Sequence, residues 1–399
     1  MMKYGTAHFI RNVDAEVYVL IIDEITLPVA VPRDTDTNCY VCSPTAHYVD
    51  YARYESGQLK NSPLRFVLHS LLNFLSVWAQ IGEIERVVYV NNWFLSTNLY
   101  PLLTEEQITQ ITDLIKTSFP DHVIIMRSLN RYTNYSFINT LQQIGYQRIV
   151  SRQIYVTNHA IPTYRKKKDF KNDLKFLDRT DRKVIYGSKL DDNRLARVLK
   201  LYNDLYLDKY THLNPQFSIE FMRLVHDHNL MTFLAVSNDT GDKEEVFDAV
   251  LGYFRREGQM TTPIFGYDTA KPSSAGLYRL LSTLLVLESE RFGCILNQSS
   301  GASKFKRTRG CTPLIEYSLF YSDHTTKRQK LGWKVLKNLI NAIAEPVMVR
   351  NQLQRYSRRS LRLVLTKPGL LLWQISTPAQ TIHEPILPEC YGAESFTED

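Results

Sequence analysis

The sequence predicts an α/β protein of two tandem domains, each with a mixed central sheet flanked by helices. Its 399 residues exceed what one hydrophobic core usually supports. With 44% hydrophobic and 22% charged residues, the composition is that of an ordinary globular protein. Short runs of β-favouring residues alternate with amphipathic helical stretches, and their order in the second half recurs in part in the first.

The first half is predicted to open with strands and to end with alternating strands and helices. Residues 17–22 and 25–31 form a predicted hairpin, and residues 39–48 form a third short β run. Apolar residues at three- and four-residue spacing from 64 to 81 predict a buried helix that Gly82 ends. The later predictions are a strand at 86–90, a helix at 104–119 opened by a capping box, a strand at 122–126, a helix at 137–144 and a strand at 147–156.

The second half is predicted to repeat this order in a fuller form. Its predicted elements are a strand at 184–188, helices at 191–207 and 218–228, strands at 231–237, 247–255 and 260–267, a helix at 277–292, a strand at 294–298, a short helix through Phe305, a strand at 312–321 and a helix at 327–344. The predicted domains are a degenerate N-terminal domain (1–158), a basic linker (159–183), a complete C-terminal domain (184–350) and an extension (351–399).

One segment resembles the closing part of a known acyltransferase family. Residues 297–321, NQSSGASKFKRTRGCTPLIEYSLFY, are similar to the end of tandem GNAT N-acyltransferases related to the Fem-like peptidyltransferases. Phe305, Lys306 and Gly310 match the aromatic residue, the lysine and the glycine of that pattern. Residues 91–101, 151–155 and 202–215 look like segments of bacterial GNAT proteins of similar length. The resemblance implies two GNAT domains.

The GNAT resemblance implies a donor site in the second domain. Two central strands splay apart in this fold, and the next helix directs its N-terminus at the pyrophosphate of an acyl thioester. Here the gap is expected between residues 260–267 and 294–298. The residues expected to contact the donor are Phe265, Gly266, Ser273, Ser274, Ala275, Gly276, Leu277, Ser299 and Lys306.

The donor loop departs from the family pattern. Relatives that bind CoA tightly usually carry a glutamine or arginine and then two glycines there, and this sequence keeps only Gly276. The matching turn of the first domain, residues 95–101, has no glycine. The departure leaves room for a donor whose phosphopantetheine belongs to a carrier protein, or for an aminoacyl-tRNA.

Four residues are the catalytic candidates that the resemblance implies. Asp268 is the candidate base, beside Tyr267 at the splay, and Tyr317 is the candidate acid for the leaving thiolate. Asn297, with Ser299, could bond the acyl carbonyl or the acceptor. The alternatives are a turn carboxylate for Asp268, a core tyrosine for Tyr317 and turn capping for Asn297.

Cations are concentrated in three basic runs, 163–183, 304–309 and 327–337, of a chain whose net charge is +7. They are either solvated surface or a dock for an anionic partner such as an acyl carrier protein, CoA phosphates or an acidic peptide. Lys306 and Arg309 could hold a phosphate or carboxylate, and solvated helix charge is the alternative. Tyr317 and Glu316 face opposite sides of their strand, so only one of them can face the site.

Other classes of protein find no support in the sequence. Cys39 and Cys42 lack the second ligand pair of a zinc site, and we expect reduced thiols. His226 and His228 diverge on a helix, so no metal is assigned. No signal peptide or membrane span is predicted, and the expected compartment is the cytoplasm. Hydrolase, kinase and dinucleotide motifs are missing, and no DNA partner is expected.

The sequence therefore predicts an N-acyltransferase with no bound cofactor. It would move an acyl group, in one version a fatty one, from acyl-CoA or an acyl carrier protein to an amine. The acceptor would be a small metabolite or a peptide lysine or ornithine side chain. A Fem-like transferase using aminoacyl-tRNA and a non-catalytic GNAT-fold binding protein are the two alternatives.

Overall fold

The computed structural model describes residues 1–33, 37–57, 62–187, 190–238 and 246–353. The strands in these ranges are β1 Ala15–Ile22, β2 Ile25–Pro32, β3 Val87–Val90, β4 Val123–Asn130, β5 Gln147–Asn158, β6 Arg182–Gly187, β7 Thr232–Asn238, β8 Phe247–Arg256, β9 Gln259–Tyr267, β10 Ile295–Asn297 and β11 Thr312–Tyr321. The helices are α1 Tyr51–Gly57, α2 Ser62–Ile81, α3 Glu105–Ser118, α4 Tyr135–Ile144, α5 Lys168–Asp178, α6 Asp192–Asn203, α7 Ile219–Asp227, α8 Leu277–Arg291, α9 Ser303–Thr308 and α10 Lys327–Leu353.

All of these strands belong to one mixed sheet, in the order β1-β2-β3-β4-β11-β5-β10-β9-β8-β7-β6. The last strand of each half is inserted into the other half: β11 lies between β4 and β5, and β5 lies between β11 and β10. The exchanged strands pair with each other from Thr312 opposite Val156 to Phe320 opposite Gln147. The two halves therefore complete each other's hydrogen-bond ladders.

The order of elements in the second half is as predicted, and it is the GNAT order. β6 is followed by α6 and α7, then by the antiparallel strands β7, β8 and β9, and then by α8, β10, α9 and β11. The first half ends in the same way, with β3, α3, β4, α4 and β5, and its parallel pair β3 and β4 corresponds to β9 and β10. The chain thus has a GNAT-like, mixed α/β fold with helices on both faces of the sheet.

The predicted domain boundaries remain predictions. The described residues lie within one compact unit, Met1–Tyr356. The predicted extension 351–399 lies outside the described residues from position 354 onward. The basic linker contains a helix, α5, whose Phe170 is buried against the core of the second half.

The predicted β run at 39–48 is wrong. This segment forms turns and then a single π-helical turn, Ala46–Asp50, which leads into α1. Side chains satisfy its backbone in place of a neighbouring strand. Glu85 Oε1 accepts a hydrogen bond from the Thr45 amide at 2.7 Å, and the Val41 carbonyl accepts from Asn92 Nδ2 at 2.9 Å. β-favouring composition alone could not reveal these distant partners.

Strand residues alternate between the two faces of the sheet. Val87 and Tyr89 pack on the face that carries α2, α6 and α7, while Val88 and Val90 pack on the opposite face. We call the former the first face and the latter the second face. One hydrophobic cluster on the first face contains residues from both halves, whereas the second face has a cluster under α3 and α4 and another under α5 and α8.

The N-terminal segment joins the first half to the second. Buried Asn12 donates from Nδ2 to the carbonyls of His212 and Asn214 at 3.0 and 2.9 Å. Its Oδ1 accepts from the Gln216 amide at 2.9 Å. Ile10 also forms a β-bridge with Phe217. The first residues of the chain therefore hold the loop before α7.

Replacing Asn12 by alanine should lower the free energy of unfolding by about 2 to 3 kcal/mol. The substitution removes three hydrogen bonds and leaves backbone groups of the second half without their partner. Urea unfolding measures the change. Gln110→Ala on exposed α3 is the control and should cost less than about 0.5 kcal/mol. Equal effects of the two substitutions would contradict the joining role of Asn12.

Candidate functional site

The parallel strands β9 and β10 are paired over only three residues. Ile295, Leu296 and Asn297 lie opposite Gln259, Met260 and Thr261. β9 continues to Tyr267 with β8 as its neighbour, whereas β10 stops at Asn297. The register of β9 against β8 shifts between Gly252 and Phe254, next to Pro263. Proline has no amide hydrogen to donate. It is therefore tolerated at a bulge and where a strand has no second strand beside it, as at Pro263.

The expected donor loop forms a tight turn at the start of α8. The amides of Ala275 and Gly276 bond the carbonyls of Pro272 and Ser273 at 2.9 and 3.1 Å. Gly276 has φ +64°, a left-handed conformation that favours glycine. No side chain caps α8. The amides of the first helical turn, which begins at Leu277, are thus the ones available to an anion.

α5 covers this turn. The ring of Phe176 lies so close to Gly276 that a Cβ there would be 2.5 Å from it, and the Arg279 guanidinium stacks over the same ring at 4.6 Å. Asp173, which is 1% exposed, forms ion pairs with Arg279 and Arg309. The carboxylate of α5 therefore occupies the position between two arginines beside the first turn of α8.

Asp268 and Tyr267 lie together at the open end of the gap. Asp268 Oδ2 accepts from Arg197 Nη2 at 3.2 Å, and its Oδ1 accepts from the Ala270 amide at 3.0 Å. The Asp268 carboxylate therefore bonds the backbone of its own turn, which is the structural alternative to a catalytic base. The Tyr267 hydroxyl accepts from Lys209 Nζ at 3.0 Å. Both candidates are therefore held by cations.

Asn297, Ser299 and Lys306 organise the turn after β10. Asn297 Oδ1 accepts from the Ser299 amide at 2.8 Å, and Ser299 has φ +58°. Lys306 is buried, and its Nζ donates to the carbonyls of Gln298 and Ser300 at 2.6 and 2.7 Å. Burial lowers the pKa of Lys306 to about 7. The lysine bonds its own loop rather than facing the turn before α8.

Phe265 and Gly266 form the part of β9 that lies along the gap. The ring of Phe265 contacts Tyr278 with 5.3 Å between centroids, and Tyr278 in turn contacts Phe305 at 4.8 Å. A Cβ at Gly266 would lie 2.5 Å from the carbonyl carbon of Leu201. A glycine is therefore required where the end of α6 crosses this strand.

The structure does not bring Tyr317 together with Asp268. Tyr317 packs on the second face of the first half, where its hydroxyl donates to Glu345 Oε1 at 3.2 Å and Arg148 stacks on its ring at 4.5 Å. Burial raises the pKa of Tyr317. Its assignment as the thiolate acid remains a prediction, and its neighbour Glu316 faces the other side.

Sequence reasoning missed a group of polar residues on the first face, which we call the central polar cluster: Glu316, Arg152, Arg127, Ser151 and His47. Arg152 Nε donates to Glu316 Oε1 at 2.8 Å, and Ser151 Oγ lies 3.0 Å from His47 Nε2. Burial and then Arg127 and Arg152 lower the pKa of His47 to about 3, so the imidazole is neutral. The register of the exchanged strands shifts between Glu316 and Tyr317. Most of these residues are far apart in sequence, so no local sequence pattern predicts that they form a cluster.

Comparison with known proteins gives similarities of fold alone. No family model matches the sequence, and no curated protein matches it. Among solved structures, FemX is similar over 63% of this chain and 83% of its own, with 7% identity and a TM-score of 0.46. L-PGS from Bacillus licheniformis is similar over 58% of this chain and 78% of its own, with 10% identity and a TM-score of 0.42. A tandem GNAT protein from the clavulanic acid biosynthesis pathway matches over 61% and 76%, with 8% identity and a TM-score of 0.36.

Within the part of the chain that the structure describes, no helix combines the length and apolarity that a membrane crossing requires. In the same residues no group of three or more histidine, cysteine, aspartate or glutamate side chains could hold a metal ion. The described cysteines, Cys39, Cys42, Cys294 and Cys311, are buried free thiols.

Buried Lys306 should make the protein more stable as the pH rises from 7 to 9. Its pKa is about 7 when folded, and in the unfolded chain it is about 10.4. Between these values only the unfolded state carries the proton, so the free energy of unfolding should rise by up to about 1.4 kcal/mol per pH unit. Urea unfolding at pH 7, 8 and 9 measures this slope.

Lys306→Met should abolish that dependence on pH, although it also lowers stability at every pH by leaving carbonyls unbonded. Lys304→Met, at an exposed position of the same helix, should keep the wild-type slope. A slope that survives in Lys306→Met would show that another group titrates in this range.

Proposed function

We propose that the chain is an N-acyltransferase that uses a phosphopantetheine thioester, either acyl-CoA or an acylated carrier protein. The observation that supports this most is the three-residue pairing of β9 with β10, after which β9 continues toward Tyr267 with no partner on the β10 side among the described residues. A strand without its neighbour offers backbone groups that the amides of a pantetheine arm can pair with. The first turn of α8 would receive the phosphates.

The residues at the gap suit acyl transfer to an amine. The amine nitrogen forms a bond to the thioester carbonyl carbon, the carbon–sulfur bond breaks, and the leaving thiolate takes up a proton. We propose Asp268 as the group that receives the proton of the acceptor, once a ligand displaces Arg197 from it. Tyr267, whose hydroxyl is held by Lys209, lies beside it. Asn297 would orient the acyl carbonyl or the acceptor.

The surface of α5 favours a donor that is part of a large anionic molecule. Lys168, Lys171 and Lys175 are exposed on this helix, while its opposite side packs against α8. A carrier protein is acidic enough to use such a surface, and its pantetheine arm would then reach α8. The aminoacyl-tRNA alternative shares the charge but has no pantetheine arm, so a tRNA-binding assay separates it from the thioester donors.

Mass spectrometry of the purified protein, incubated with a panel of acyl-CoA and acyl-carrier thioesters and a panel of amines, tests the proposal. We expect an acylated amine, or a thioester retained by the protein. Ser274→Glu should raise the KM for acyl-CoA roughly five-fold, because it adds a negative charge beside the first turn of α8.

Thr109→Glu is the control for the added charge, since it changes an exposed helical position in the first half. It should leave the KM unchanged. Absence of product and of bound thioester with every donor would contradict the transferase and favour the non-catalytic alternative.

Phe176→Ala should lower the KM for the thioester donor several-fold with little change in kcat. The substitution removes the ring that covers Gly276 and releases Arg279 from it. Phe292→Ala is a matched control, because its ring also stacks under an arginine, Arg255, but lies at the other end of α8. A higher KM in Phe176→Ala would mean that the ring belongs to the donor site itself.

A further inference from the structure

The described part of the chain contains two π-helical turns, one in each half, and a hydrogen bond joins the segments that follow them. One is Ala46–Asp50 at the start of α1, and the other is Asp204–Asp208 at the end of α6. The Tyr54 hydroxyl donates to the Tyr210 carbonyl at 2.5 Å and joins the two segments. Single π-helical turns are rare and occur frequently at functional sites. Here one turn from each half borders the same region.

Tyrosines lie close to both turns, and we call Tyr40, Tyr51, Tyr202 and Tyr206 together the tyrosine cleft. Tyr40 and Tyr51 are in contact with 5.5 Å between ring centroids, and Tyr206 contacts Tyr202 at 4.9 Å from the other side. The pKa of Tyr206 is raised by burial first and also by the nearby phenols, including Tyr40 and Tyr51. Among the described residues, the hydroxyls of Tyr40, Tyr51 and Tyr206 have no hydrogen-bond partner.

Glu316 lies at the inner end of the tyrosine cleft. The Tyr40 ring lies 6.0 Å from the His47 ring, and His47 Nε2 lies 3.0 Å from Ser151 Oγ. The next residue, Arg152, donates to Glu316 at 2.8 Å. The Glu316 side chain is 2% exposed, and only its Oε1 is bonded, to Arg152. Its Oε2 has no partner in the described part of the chain. A buried carboxylate oxygen without a donor is costly, which indicates that a ligand supplies one.

We propose that the tyrosine cleft binds a primary amine, whose N–H donates to Glu316 Oε2. The inference rests on the proposed function, because this amine would be the acceptor of the acyl group. The hydroxyls of Tyr40, Tyr51 and Tyr206 supply further polar contacts, and their rings suit the apolar part of an amine. Glu316 would touch the substrate directly.

The charges around Glu316 suit an amine that must react. The guanidinium groups of Arg127 and Arg152 lower the pKa of His47 beyond the effect of burial. The same field disfavours the ammonium form of a bound amine, while Glu316 still accepts its hydrogen bond. The cluster thus retains the amine and favours its neutral, nucleophilic form.

β5 connects the tyrosine cleft with the gap beside β9. Arg152 lies opposite Glu316 on this strand, and Tyr155 exchanges backbone hydrogen bonds with the turn after β10: its amide donates to Ser299 and its carbonyl accepts from Gln298. Three residues of a strand span about 10 Å. About 10 Å of β5 thus separates Glu316 from the turn after β10, so an amine bound at Glu316 would have to move along this strand to meet a thioester carbonyl in the gap and Asp268 beside it.

Isothermal titration calorimetry of the full chain with methylamine and with N-α-acetyl-lysine methylamide tests the site without any acyl donor. The matched probe without the amine is N-α-acetyl-norleucine methylamide, whose side chain has no donor. We expect the amine probes to bind and the norleucine probe not to bind. Glu316→Gln should weaken amine binding about ten-fold or more, because an amide N–H replaces the acceptor that a charged oxygen provides.

Glu288→Gln is the control for changing a buried carboxylate. Glu288 is also buried but bonds Tyr186 and Tyr253, away from the cleft. It should leave amine binding unchanged. Equal binding by wild type and Glu316→Gln, or no binding of either amine to the wild type, would overturn the proposal.

Tyr206→Phe is a second test of the amine site, for use if Glu316→Gln does not fold. The Tyr206 hydroxyl has no partner among the described residues, so its removal should leave the thermal unfolding midpoint nearly unchanged. Amine binding should weaken two- to five-fold if the probe lies in the cleft, and unchanged binding would contradict the site.

The two proposals fail in different ways. Acyl transfer with full activity in Glu316→Gln would refute the amine site and leave the transferase intact. Amine binding that depends on Glu316, with no reaction from any thioester, would refute the transferase and leave the amine site intact.

Discussion

The exchange of β5 and β11 is the constraint on which the rest of the structure depends. β5 comes from the first half and pairs with β10 of the second, while β11 comes from the second half and pairs with β4 of the first. The two strands also pair with each other along nine residue positions. Backbone groups in the centre of a sheet must be bonded, so neither half can keep its ladder without the other. The single first-face core and the contacts of Asn12 follow from the same arrangement.

The exchange also determines where the sheet opens. β10 ends at Asn297, and the chain then turns to bond Tyr155 of β5. β9 is left with one neighbour from Thr262 onward, and Pro263 suits that state because it needs no acceptor for an amide hydrogen. The gap and the central polar cluster border the same strand, β5. The proposed donor site and the proposed amine site are therefore both positioned by this strand.

Three buried charged residues differ in how far the fold satisfies their hydrogen-bonding groups. Asp173 lies between Arg279 and Arg309, where the ion pairs offset its burial. Lys306 bonds the carbonyls of its own loop and is a structural residue of the turn after β10. Glu316 differs from both, because one of its oxygens lacks a donor among the described residues. Asp173 and Lys306 are satisfied within the fold, whereas the unbonded oxygen of Glu316 is the observation on which the proposed amine site rests.

The sequence by itself determined the local elements and their order. Three- and four-residue apolar spacing located α2 and α8, Gly145 and Gly293 ended helices, and the GNAT order of the second half followed. Only the tertiary structure decided the exchange of strands, the π-helical turn at Ala46–Asp50, the cover that α5 places on Gly276 and the pairing of Arg152 with Glu316. Local patterns report backbone preference and burial within a few residues. These four features depend on partners far away in sequence, whose hydrogen bonds and charges no periodicity encodes.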